Sequence, residues 1–488
     1  MKYFGAIDQG TTSSRFIVFN ESGEIVEQHQ QEHRQILPDE HSVEHNANEI
    51  WESVKTCINV VDSKFNIAQL TSIGITNQRE TTVAWNKKTG EPLYNAIVWQ
   101  DTRTQAICDE LSTIENLTQE FNKTGLPIAT YFSLSKILWL IRNVPEVAKN
   151  LEVDNVCFGT IDSWLIFKIT GDFFTDVTNA SRTLLLNIET GKWSEKILKT
   201  LDIPLSSLPK IKPSLSNFGT NKLILKNVPI TAVLGDQQAS LFGNNCLSKG
   251  EIKNTYGTGC FALTNTGEDI VYSNNGLLTT IAYQLEDQPI QYAIEGSVSI
   301  AGSAVQWLRD NLNIINDSSE IESLAMQVKD NGDVYFVPAF SGLFSPHWDS
   351  TARGVLVGLT RFTNKSHIAR SVLESVAYQS YDLLTSMERD TGERFEVIKV
   401  DGGMINNNLL MQFQSDIFDR VVSSQRVIEI TALGVAAASY IFQNNLPLST
   451  MSKIVTKSSS WNPNMDTDLR DKYINKWNKA VEKSKQWT

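Results

Sequence analysis

The chain has 488 residues, of which 41% are hydrophobic and 20% are charged, and its formal net charge at pH 7 is -12. Because a single hydrophobic core stops growing at roughly 250 to 300 residues, the length predicts two domains, and the ordinary composition excludes a largely disordered chain. The acidic balance argues against a nucleic-acid partner, which would require a basic surface.

The N-terminus and the cysteines indicate the cellular compartment. The first residues, MKYFGAIDQG, lack the apolar segment of a signal peptide, and the longest apolar stretch, near residues 432–442, is shorter than the about 18 residues of a membrane span. The five cysteines are odd in number and include no CxxC pair, so we interpret them as small apolar core residues in a reducing compartment. We therefore expect a cytoplasmic protein with no stable membrane association.

The first predicted elements are two strands over residues 3–20, joined by a tight turn at Asp8–Ser13 with Gly10 in the bend. The turn sequence DQGTTSSR combines the Asp8 carboxylate, four hydroxyl groups and the Arg15 guanidinium. Such a turn can hold phosphate oxygens, and its aspartate can orient a hydrated Mg²⁺ ion. A plain polar turn explains the pattern equally well. The P-loop, protein-kinase and Rossmann signatures are absent from the sequence.

A pattern typical of inverted zinc peptidases follows at His41–His45, where HSVEH fits HxxEH. Such a site requires both histidines on one face of a helix, but the segment PDEHSVEHNANE lacks apolar helical periodicity. We therefore expect no zinc site here. The next segment, Asn46–Ser63, has apolar residues at three- and four-residue spacing and predicts a helix.

Arg79 and Glu80 follow the predicted strand SIGIT in the loop NQRE. The Arg79 guanidinium group donates hydrogen bonds, and the neighbouring Glu80 carboxylate accepts them. A polyol requires both, because each hydroxyl group is a donor and an acceptor. An isolated pair of this kind is more often a solvated surface contact. The pair is nevertheless a candidate binding site for a small polyol.

Asp236 stands where the apolar run Ile230–Leu234 ends and the helical segment QQASLFG begins. A carboxylate at the end of a strand that faces a cleft can accept a proton from a substrate hydroxyl as it attacks phosphorus. Aspartate is also a favoured helix N-cap, and position alone favours that interpretation. The two roles are compatible if the side chain caps the helix in one state and binds substrate in another.

The second half of the chain repeats the element order of the first. Residues 251–256, a turn at Gly257–Gly259 and residues 260–265 form a second predicted hairpin, followed by a helix over Ser366–Arg389 and the strand VIKVDGG. This order predicts an ancient duplication with domains at 1–247 and 248–488. The fold class is α/β, and we expect the ligand site in the cleft between the halves.

Two pairs of residues in the second half have the spacing of one helical turn. Gly302 and Gln306 share a face of a predicted helix, where the glycine permits close approach and the amide could meet a nucleotide base. Gly403 and Asn407 have the same separation after the strand that ends at Asp401. Close helix packing alone explains either pair, so both are weak signals of a nucleotide site.

The ordered motifs of the chain resemble one family. They are DQGTTSSR, GITNQRET, AIVWQDTRT, YFSLSKILW, GTIDSWLI, TNASRT, GDQQASLFG, KNTYGTGCF, PAFSGL, GVLVGL with HIARSVLE, and VDGG. From residue 3 to about residue 440, the chain closely resembles the glycerol-phosphorylating members of the FGGY carbohydrate kinase family. The resemblance implies two duplicated ribonuclease H-like domains of the actin, Hsp70 and hexokinase type that close on ATP. It also implies phosphorylation of glycerol to sn-glycerol 3-phosphate with ATP and Mg²⁺, and assembly as a homodimer or homotetramer.

The resemblance assigns roles to individual residues. By motif match, Asp236 would be the catalytic base, and glycerol would be bound by Arg79, Glu80, Trp99, Tyr131, Asp236, Gln237 and Phe261. The nucleotide would be bound by Thr11, Thr12, Ser13, Arg15, Thr258, Gly302, Gln306, Gly403 and Asn407. Asp8 would hold Mg²⁺ through water.

The chain departs from the family pattern at two places. Met404 follows the DGG motif where the family often has alanine, and residues 211–236 contain no histidine, so the phosphorylatable regulatory histidine of many Gram-positive relatives is not expected. Two alternatives stay open. A pentulose kinase would need a roomier pocket than Trp99, Tyr131 and Phe261 predict, and an ATPase module related to actin or Hsp70 would not need the NQRE pair.

Overall fold

The computed structural model describes residues 2–340, 342–427 and 429–487. The strands of the N-terminal half are β1 (Tyr3–Gln9), β2 (Ser13–Asn20), β3 (Ile25–Glu32), β4 (Glu44–His45), β5 (Leu70–Asn77), β6 (Val83–Asn86), β7 (Ala96–Ile97), β8 (Val156–Gly159), β9 (Phe174–Asp176), β10 (Leu186–Asn187), β11 (Lys192–Trp193), β12 (Lys210–Lys212) and β13 (Ile230–Gly235). The helices of this half are α1 (Ala47–Lys64), α2 (Gln105–Ser112), α3 (Thr118–Asn122), α4 (Ser133–Asn143), α5 (Pro145–Glu152), α6 (Ile161–Thr170), α7 (Val177–Ala180), α8 (Glu195–Thr200) and α9 (Asp236–Gly243).

The C-terminal half continues the same numbering. Its strands are β14 (Ile252–Tyr256), β15 (Cys260–Gly267), β16 (Leu278–Tyr283), β17 (Gln291–Val298), β18 (Tyr335–Val337), β19 (Val355–Val357), β20 (Val397–Asp401), β21 (Val421–Gln425) and β22 (Lys457–Trp461). Its helices are α10 (Gly302–Asp310), α11 (Glu320–Ala325), α12 (Lys365–Thr391), α13 (Asn408–Phe418), α14 (Ile430–Gln443), α15 (Met451–Ile454) and α16 (Thr467–Ser484).

The first predicted hairpin is confirmed. β1 and β2 pair antiparallel, and a backbone hydrogen bond of 2.9 Å from Gly10 N to Ser13 O closes the turn. The hairpin lies in a five-stranded sheet of order β13-β5-β1-β2-β3, in which β5 is parallel to β1 and β13 is parallel to β5. Because the carboxyl ends of parallel strands meet at one edge of a sheet, Asp8, Arg79 and Asp236 come together there.

The second sheet repeats this plan and confirms the second predicted hairpin. Its order is β16-β17-β15-β14-β20-β21-β22, with β14 antiparallel to β15 and parallel to β20. In each sheet, the first arm of the hairpin lies between the second arm and a parallel strand, which is β5 in one half and β20 in the other. The same strand plan in both halves is what a duplication predicts.

The two long predicted helices are also confirmed, and asparagine caps fix their starts. The side chain of Asn46 accepts hydrogen bonds from the first turn of α1, so the helix begins at Ala47, one residue after its predicted start. Asn364 and His367 form a capping box at the start of α12, which therefore begins slightly before the predicted Ser366.

The cysteines are core residues, as predicted. All five are free and buried: Cys57, Cys108, Cys157, Cys246 and Cys260. Within the described ranges, none of the helices combines the length and the apolar character that crossing a membrane requires.

Helices α9 and α14 join the two halves. Although α14 comes late in the chain, it packs on β1, β5 and β13 of the first sheet and against α9. Glycines make the crossing of the two helices close, because a Cβ atom at Gly434 would lie 2.0 Å from Ala239 O and one at Gly243 would lie 2.2 Å from Ile430 O. In chain order, the last strand of the first sheet is β13, which ends at Gly235. The helices do not follow this boundary, because α14 comes later in the chain but packs on the first sheet.

The helix crossing gives the first testable prediction. We expect Gly434→Ala to lower the thermal unfolding midpoint by several degrees, because the added methyl group would collide with the backbone of α9. Overpacking of this kind costs about 1 to 3 kcal/mol. Circular dichroism during heating measures the midpoint. The matched control is Gly403→Ala, whose methyl group would meet no heavy atom of the described residues within 4 Å. Equal midpoints for the two variants would show that α9 and α14 do not need this close contact.

Candidate active site

The turn of the first hairpin presents two threonines differently from the serine that follows them. Thr12 is exposed, and Thr11 is partly buried with its hydroxyl accepting a hydrogen bond from Trp99 Nε1 at 3.1 Å. Ser13 is buried, and its hydroxyl accepts a hydrogen bond from the Gln30 side chain at 2.9 Å. Of these three residues, which are predicted to bind phosphate through their hydroxyl groups, Thr12 is therefore the most accessible, and the Ser13 hydroxyl is already engaged within the sheet.

Arg15 is paired across the two halves. Its Nη1 lies 2.5 Å from Oε2 of Glu429, the residue immediately before α14. Both side chains are about one-third exposed, at 31% and 29%. To bind phosphate as predicted, the Arg15 guanidinium would have to share or leave this ion pair.

Asp8 lies close to the Arg15–Glu429 pair. None of the described residues donates a hydrogen bond to its carboxylate. Burial raises the pKa of Asp8 to about 7; Arg15 opposes this shift, and the Glu429 and Asp236 carboxylates add to it. A carboxylate without a protein donor, near two other carboxylates, is a position that a hydrated divalent cation would stabilise. The residues present therefore fit the predicted Mg²⁺ ion.

Five charged side chains form what we call the buried ion cluster at the ends of β5 and β13. Its members are Arg79, Glu80, Arg182, Asp236 and Glu295. Arg79 lies at the centre. Its Nη1 and Nη2 donate to the two carboxylate oxygens of Glu295 at 2.5 and 2.7 Å, and its Nε lies 3.1 Å from Oδ1 of Asp236. Because Glu295 belongs to β17 of the second sheet, this guanidinium joins the two halves.

Glu80 and Arg182 complete the buried ion cluster. Arg182 Nε donates to Oε1 of Glu80 at 2.6 Å, and its Nη2 lies 3.3 Å from Oε1 of Glu295. Burial raises the pKa of Glu80, and the guanidinium groups of Arg79 and Arg182 offset this only in part. Burial would also raise the pKa of Glu295, but the same two guanidinium groups lower it to about 2. Glu295 is therefore the permanent counter-ion of both arginines.

Asp236 is the accessible carboxylate of the buried ion cluster. Its side chain is 36% exposed, compared with 2% for Glu80 and 1% for Glu295. Gly235 is the N-cap of α9 and Asp236 is its first residue, so the N-cap interpretation of Asp236 is wrong. Its Oδ1 accepts a hydrogen bond from Gln237 N at 2.7 Å. Burial raises the pKa of Asp236, and Arg79 acts in the opposite direction. A raised pKa makes this carboxylate a better proton acceptor than an ordinary aspartate.

Aromatic side chains connect the first hairpin to the buried ion cluster. The rings of Trp99 and Tyr131 meet edge to face with centroids 5.6 Å apart, and the Arg182 guanidinium lies 5.7 Å from the Tyr131 centroid. Lys136 donates to the carbonyl oxygens of Thr130, Tyr131 and Phe132 and so holds the backbone of this wall. Since Trp99 also bonds Thr11, the Trp99–Tyr131 pair connects the turn of the first hairpin to Arg182.

Two predicted substrate residues from opposite halves share a third residue. Nζ of Lys253 on β14 donates to Oε1 of Gln237 at 2.5 Å and to the carbonyl oxygen of Phe261 at 3.1 Å. Gln237 belongs to α9, and Phe261 belongs to β15. The structure thus brings these two residues together at the side of Asp236.

The turn of the second hairpin packs against the start of α10. The Thr258 carbonyl accepts from Ala301 N at 2.9 Å, and Gly302 N donates to the Gly257 carbonyl at 3.0 Å. A Cβ atom at Gly302 would lie 2.6 Å from that carbonyl oxygen, so the close approach requires glycine. Thr258 and Gln306 are exposed, and Gly302 and Gln306 lie one turn apart on α10, as predicted.

The loop after β20 contacts the same hairpin. Gly402 has a φ of 96°, and a Cβ atom there would lie 2.4 Å from the Tyr256 carbonyl oxygen. Gly403 is exposed, and the Asn407 side chain caps α13 by accepting from Leu410 N at 2.9 Å. A short 3₁₀ turn separates the two residues, so they do not share the face of one α-helix. The Asn407 side-chain oxygen is engaged in this cap, whereas its NH₂ group is not part of the cap.

Comparison with known families identifies the chain. Residues 3–243 match the N-terminal domain of the FGGY family of carbohydrate kinases, and residues 252–441 match the C-terminal domain of that family. The chain belongs to this family. A curated relative from Chloroflexus aggregans named glycerol kinase is 50% identical over 496 residues, covering 100% of this chain and 99% of the relative. One from Brucella anthropi with the same name is 50% identical over 497 residues with the same coverage.

Solved structures confirm the predicted FGGY kinase fold. The structure of Plasmodium falciparum glycerol kinase with ADP superposes with a TM-score of 0.93 at 40% identity, covering 99% of this chain and 98% of that one. A ligand-bound xylulose kinase from Lactobacillus acidophilus has a TM-score of 0.87 at 22% identity and shows the shared fold alone.

Three residues at the candidate site of this FGGY kinase were not predicted from the sequence: Arg182, Lys253 and Glu295. Arg182 lies inside the motif TNASRT, and Lys253 begins KNTYGTGCF. Lys253 and Glu295 are buried in central strands of the second sheet. A charged residue after an apolar strand pattern predicts a buried partner, and this signal could have found Glu295 in QYAIEGSV. The strand IKNTY is largely polar, so it gives no such signal for Lys253.

The HxxEH segment supports the first hairpin instead of forming a helix. Glu44 and His45 form β4, and His45 is buried. Its Nε2 lies 2.8 Å from Gln35 Oε1, and its Nδ1 lies 3.3 Å from Gln78 Nε2. Gln35 in turn donates to the Thr11 carbonyl at 2.9 Å, so His45 supports the backbone of the first hairpin's turn through Gln35.

Proposed function

We propose that this FGGY kinase transfers the γ-phosphoryl group of ATP to a terminal hydroxyl of glycerol, giving sn-glycerol 3-phosphate and ADP. The observation that carries the proposal is the contact between Arg79 and the carboxylate of Asp236, which is partly exposed, has a raised pKa and lies at the same sheet edge as Asp8. It supports the proposal that Arg79 binds a hydroxyl group and that Asp236 accepts its proton, next to the hairpin proposed to bind phosphate. The curated relatives named glycerol kinase support glycerol as the acceptor.

In this mechanism, the buried ion cluster binds and orients the acceptor. Arg79 and Glu80 supply donors and an acceptor for the glycerol hydroxyls, and Trp99, Tyr131 and Phe261 enclose the carbon chain. Asp236 takes the proton from the attacking hydroxyl as the bond to phosphorus forms. Enclosure of the site matters because water is itself a phosphoryl acceptor.

The two hairpins and the residues beside them are proposed to hold MgATP from opposite sides. Thr11, Thr12, Ser13 and Arg15 face the phosphates from the first half and Thr258 from the second, and Gly302, Gln306, Gly403 and Asn407 hold the remainder of the nucleotide. Asp8 would hold Mg²⁺ through water, and the ion would neutralise charge on the phosphates. Domain boundaries at 247 and 248, a cytoplasmic location and a homodimer or homotetramer remain predictions from the sequence.

The role of Asp8 predicts a proton-linked Mg²⁺ requirement. Because the Asp8 carboxylate has a pKa of about 7 without the ion, protons compete with the hydrated cation below that pH. We expect the Mg²⁺ concentration for half-maximal rate to rise by up to about tenfold per pH unit as the pH falls from 7 to 5. Initial rates in Mg²⁺ titrations at fixed free ATP, repeated across this pH range, measure the effect.

The control for this prediction is Asp8→Asn, which cannot titrate. Its Mg²⁺ requirement should be higher than that of the wild type at pH 8 and nearly independent of pH. A wild-type requirement that stays flat between pH 5 and 8 would remove Asp8 from the cation site.

A panel of acceptors tests the proposed function. ADP release is measured with glycerol, dihydroxyacetone, xylulose and no acceptor, and the product is identified by chromatography against sn-glycerol 3-phosphate. We expect glycerol to give the highest kcat/KM. A preference for xylulose would instead favour a pentulose kinase. A rate of ADP release that is the same with and without each acceptor would favour an ATPase module.

A further inference from the structure

Lys253 is a buried lysine that no assigned role explains. It is the second residue of β14 and has no exposed surface. Its Nζ donates three hydrogen bonds, to Gln237 Oε1 at 2.5 Å, to Thr255 Oγ1 at 2.9 Å and to the Phe261 carbonyl at 3.1 Å. All three donor positions of an ammonium group are therefore used.

The charge of Lys253 is held by neighbours that are not in direct contact. Burial lowers the pKa of Lys253 to about 8, against the opposing effect of the Asp401 and Glu295 carboxylates. Arg79 adds to the lowering and Asp236 opposes it. Among the described residues, no carboxylate lies within ion-pair distance of Nζ, so its charge is stabilised by the three oxygen acceptors. At neutral pH, the group is mainly the ammonium form, which can only donate.

We infer that Lys253 is a positioning residue that fixes the orientation of the Gln237 amide in the acceptor site. A donor-only ammonium requires the carbonyl oxygen of that amide, so the Gln237 NH₂ group is turned away from Lys253. Gln237 then presents only donors to the acceptor, next to the Asp236 carboxylate, which presents only acceptor oxygens. A hydroxyl group, which is donor and acceptor together, fits between them.

Lys253 also connects this orientation to the nucleotide side. It lies five residues before Thr258 on the strand that leads into the second hairpin turn, whereas Gln237 belongs to the first half. The hydrogen bond between them therefore crosses the two halves and couples the acceptor site to the strand of the nucleotide turn. This inference rests on the proposed function, because it assigns the Gln237 amide to a hydroxyl acceptor.

A double-mutant cycle tests the inference. Lys253→Met, Gln237→Ala and the double variant are compared by KM for glycerol and KM for ATP. We expect Lys253→Met to raise the KM for glycerol about tenfold in the wild-type background and less than about twofold in the Gln237→Ala background. The KM for ATP should change less than the KM for glycerol in both. A structural defect would act equally in the two backgrounds, so only positioning through Gln237 predicts this difference.

Two further variants keep the result interpretable. Lys399→Met is the matched control, since Lys399 pairs with Lys253 in the parallel strand register but bonds Asn245 O and Glu251 Oε1 instead of Gln237. Its KM for glycerol should stay near that of the wild type. If Lys253→Met does not fold, Lys253→Gln replaces it in the cycle, because a neutral amide no longer dictates which end of Gln237 faces it.

The outcomes separate this inference from the proposed function. A wild-type enzyme that does not phosphorylate glycerol overturns the proposed function. A wild-type enzyme that phosphorylates glycerol, together with equal effects of the Lys253 substitution in both backgrounds, overturns the positioning role alone.

Discussion

Asp236→Asn is expected to lower kcat by about 10²- to 10⁴-fold while the affinity for glycerol is largely preserved. Asparagine keeps an oxygen that can accept from Arg79 Nε and from Gln237 N, both of which contact Oδ1 of Asp236. It has no basicity at neutral pH, so the attacking hydroxyl loses its proton acceptor. Steady-state kinetics for turnover and calorimetric titration of glycerol for binding measure the two effects separately.

The pH dependence gives a second measure of the Asp236 prediction. Because burial raises the pKa of Asp236, the wild-type kcat should fall on the acid side at a higher pH than an ordinary aspartate would give. The asparagine variant should lack this contribution. Asp382→Asn is the matched control, since Asp382 is 12% exposed and accepts from Trp477 Nε1 at 2.7 Å within the C-terminal half. Turnover near the wild-type value in Asp236→Asn would show that another group accepts the proton.

Glu295→Gln is expected to reduce both the stability of the fold and kcat/KM for glycerol. The substitution removes the carboxylate that lies 2.5 and 2.7 Å from the two terminal nitrogens of Arg79 and 3.3 Å from Arg182. Breaking a buried ion pair by removing one partner costs about 3 to 5 kcal/mol, because the other charge stays buried without compensation. We expect kcat/KM to fall by about 100-fold or more, because Arg79 then loses the carboxylate that orients its guanidinium group toward the acceptor.

The pKa of Glu295 determines where its contribution to stability is present. The pKa of Glu295 in the folded state is about 2, which is below the ordinary glutamate pKa. Its stabilising contribution is therefore fully present above the ordinary glutamate pKa and is lost as the pH falls to about 2. Denaturant unfolding at pH 7 therefore measures the full effect.

Glu374→Gln is the matched control for Glu295→Gln. Glu374 is also buried in the C-terminal half and accepts from Arg370 Nε at 2.8 Å, but burial raises its pKa to about 7. A neutral glutamine should therefore be tolerated better there, with kcat/KM near the wild-type value. Similar losses of stability and activity in the two variants would mean that the buried ion cluster has no special role in the site.

Local signals in the sequence were sufficient for the elements that carry the site. The tight turn at Gly10, the apolar spacing of α1 and α12 and the strands that end near Arg79 and at Gly235 each depend on residues close in the chain. These features, with the matching turn at Gly257–Gly259, predicted both hairpins and the α/β class, whereas the kinase fold was predicted from the resemblance of the ordered motifs to the FGGY family. Asp236 and Arg79 could be predicted as candidates because each follows a strand whose carboxyl end opens at a sheet edge.

The sequence by itself therefore determined the hairpins, the long helices and the candidate residues at the strand ends. Only the tertiary structure decided which charges meet. Glu295 lies 216 residues from Arg79 along the chain, and Glu429 lies 414 residues from Arg15, yet both form short contacts across the halves. The reason is physical. A strand pattern is set by neighbours within a few residues, whereas a buried charge requires a partner wherever the packed sheets and the α9–α14 crossing place one.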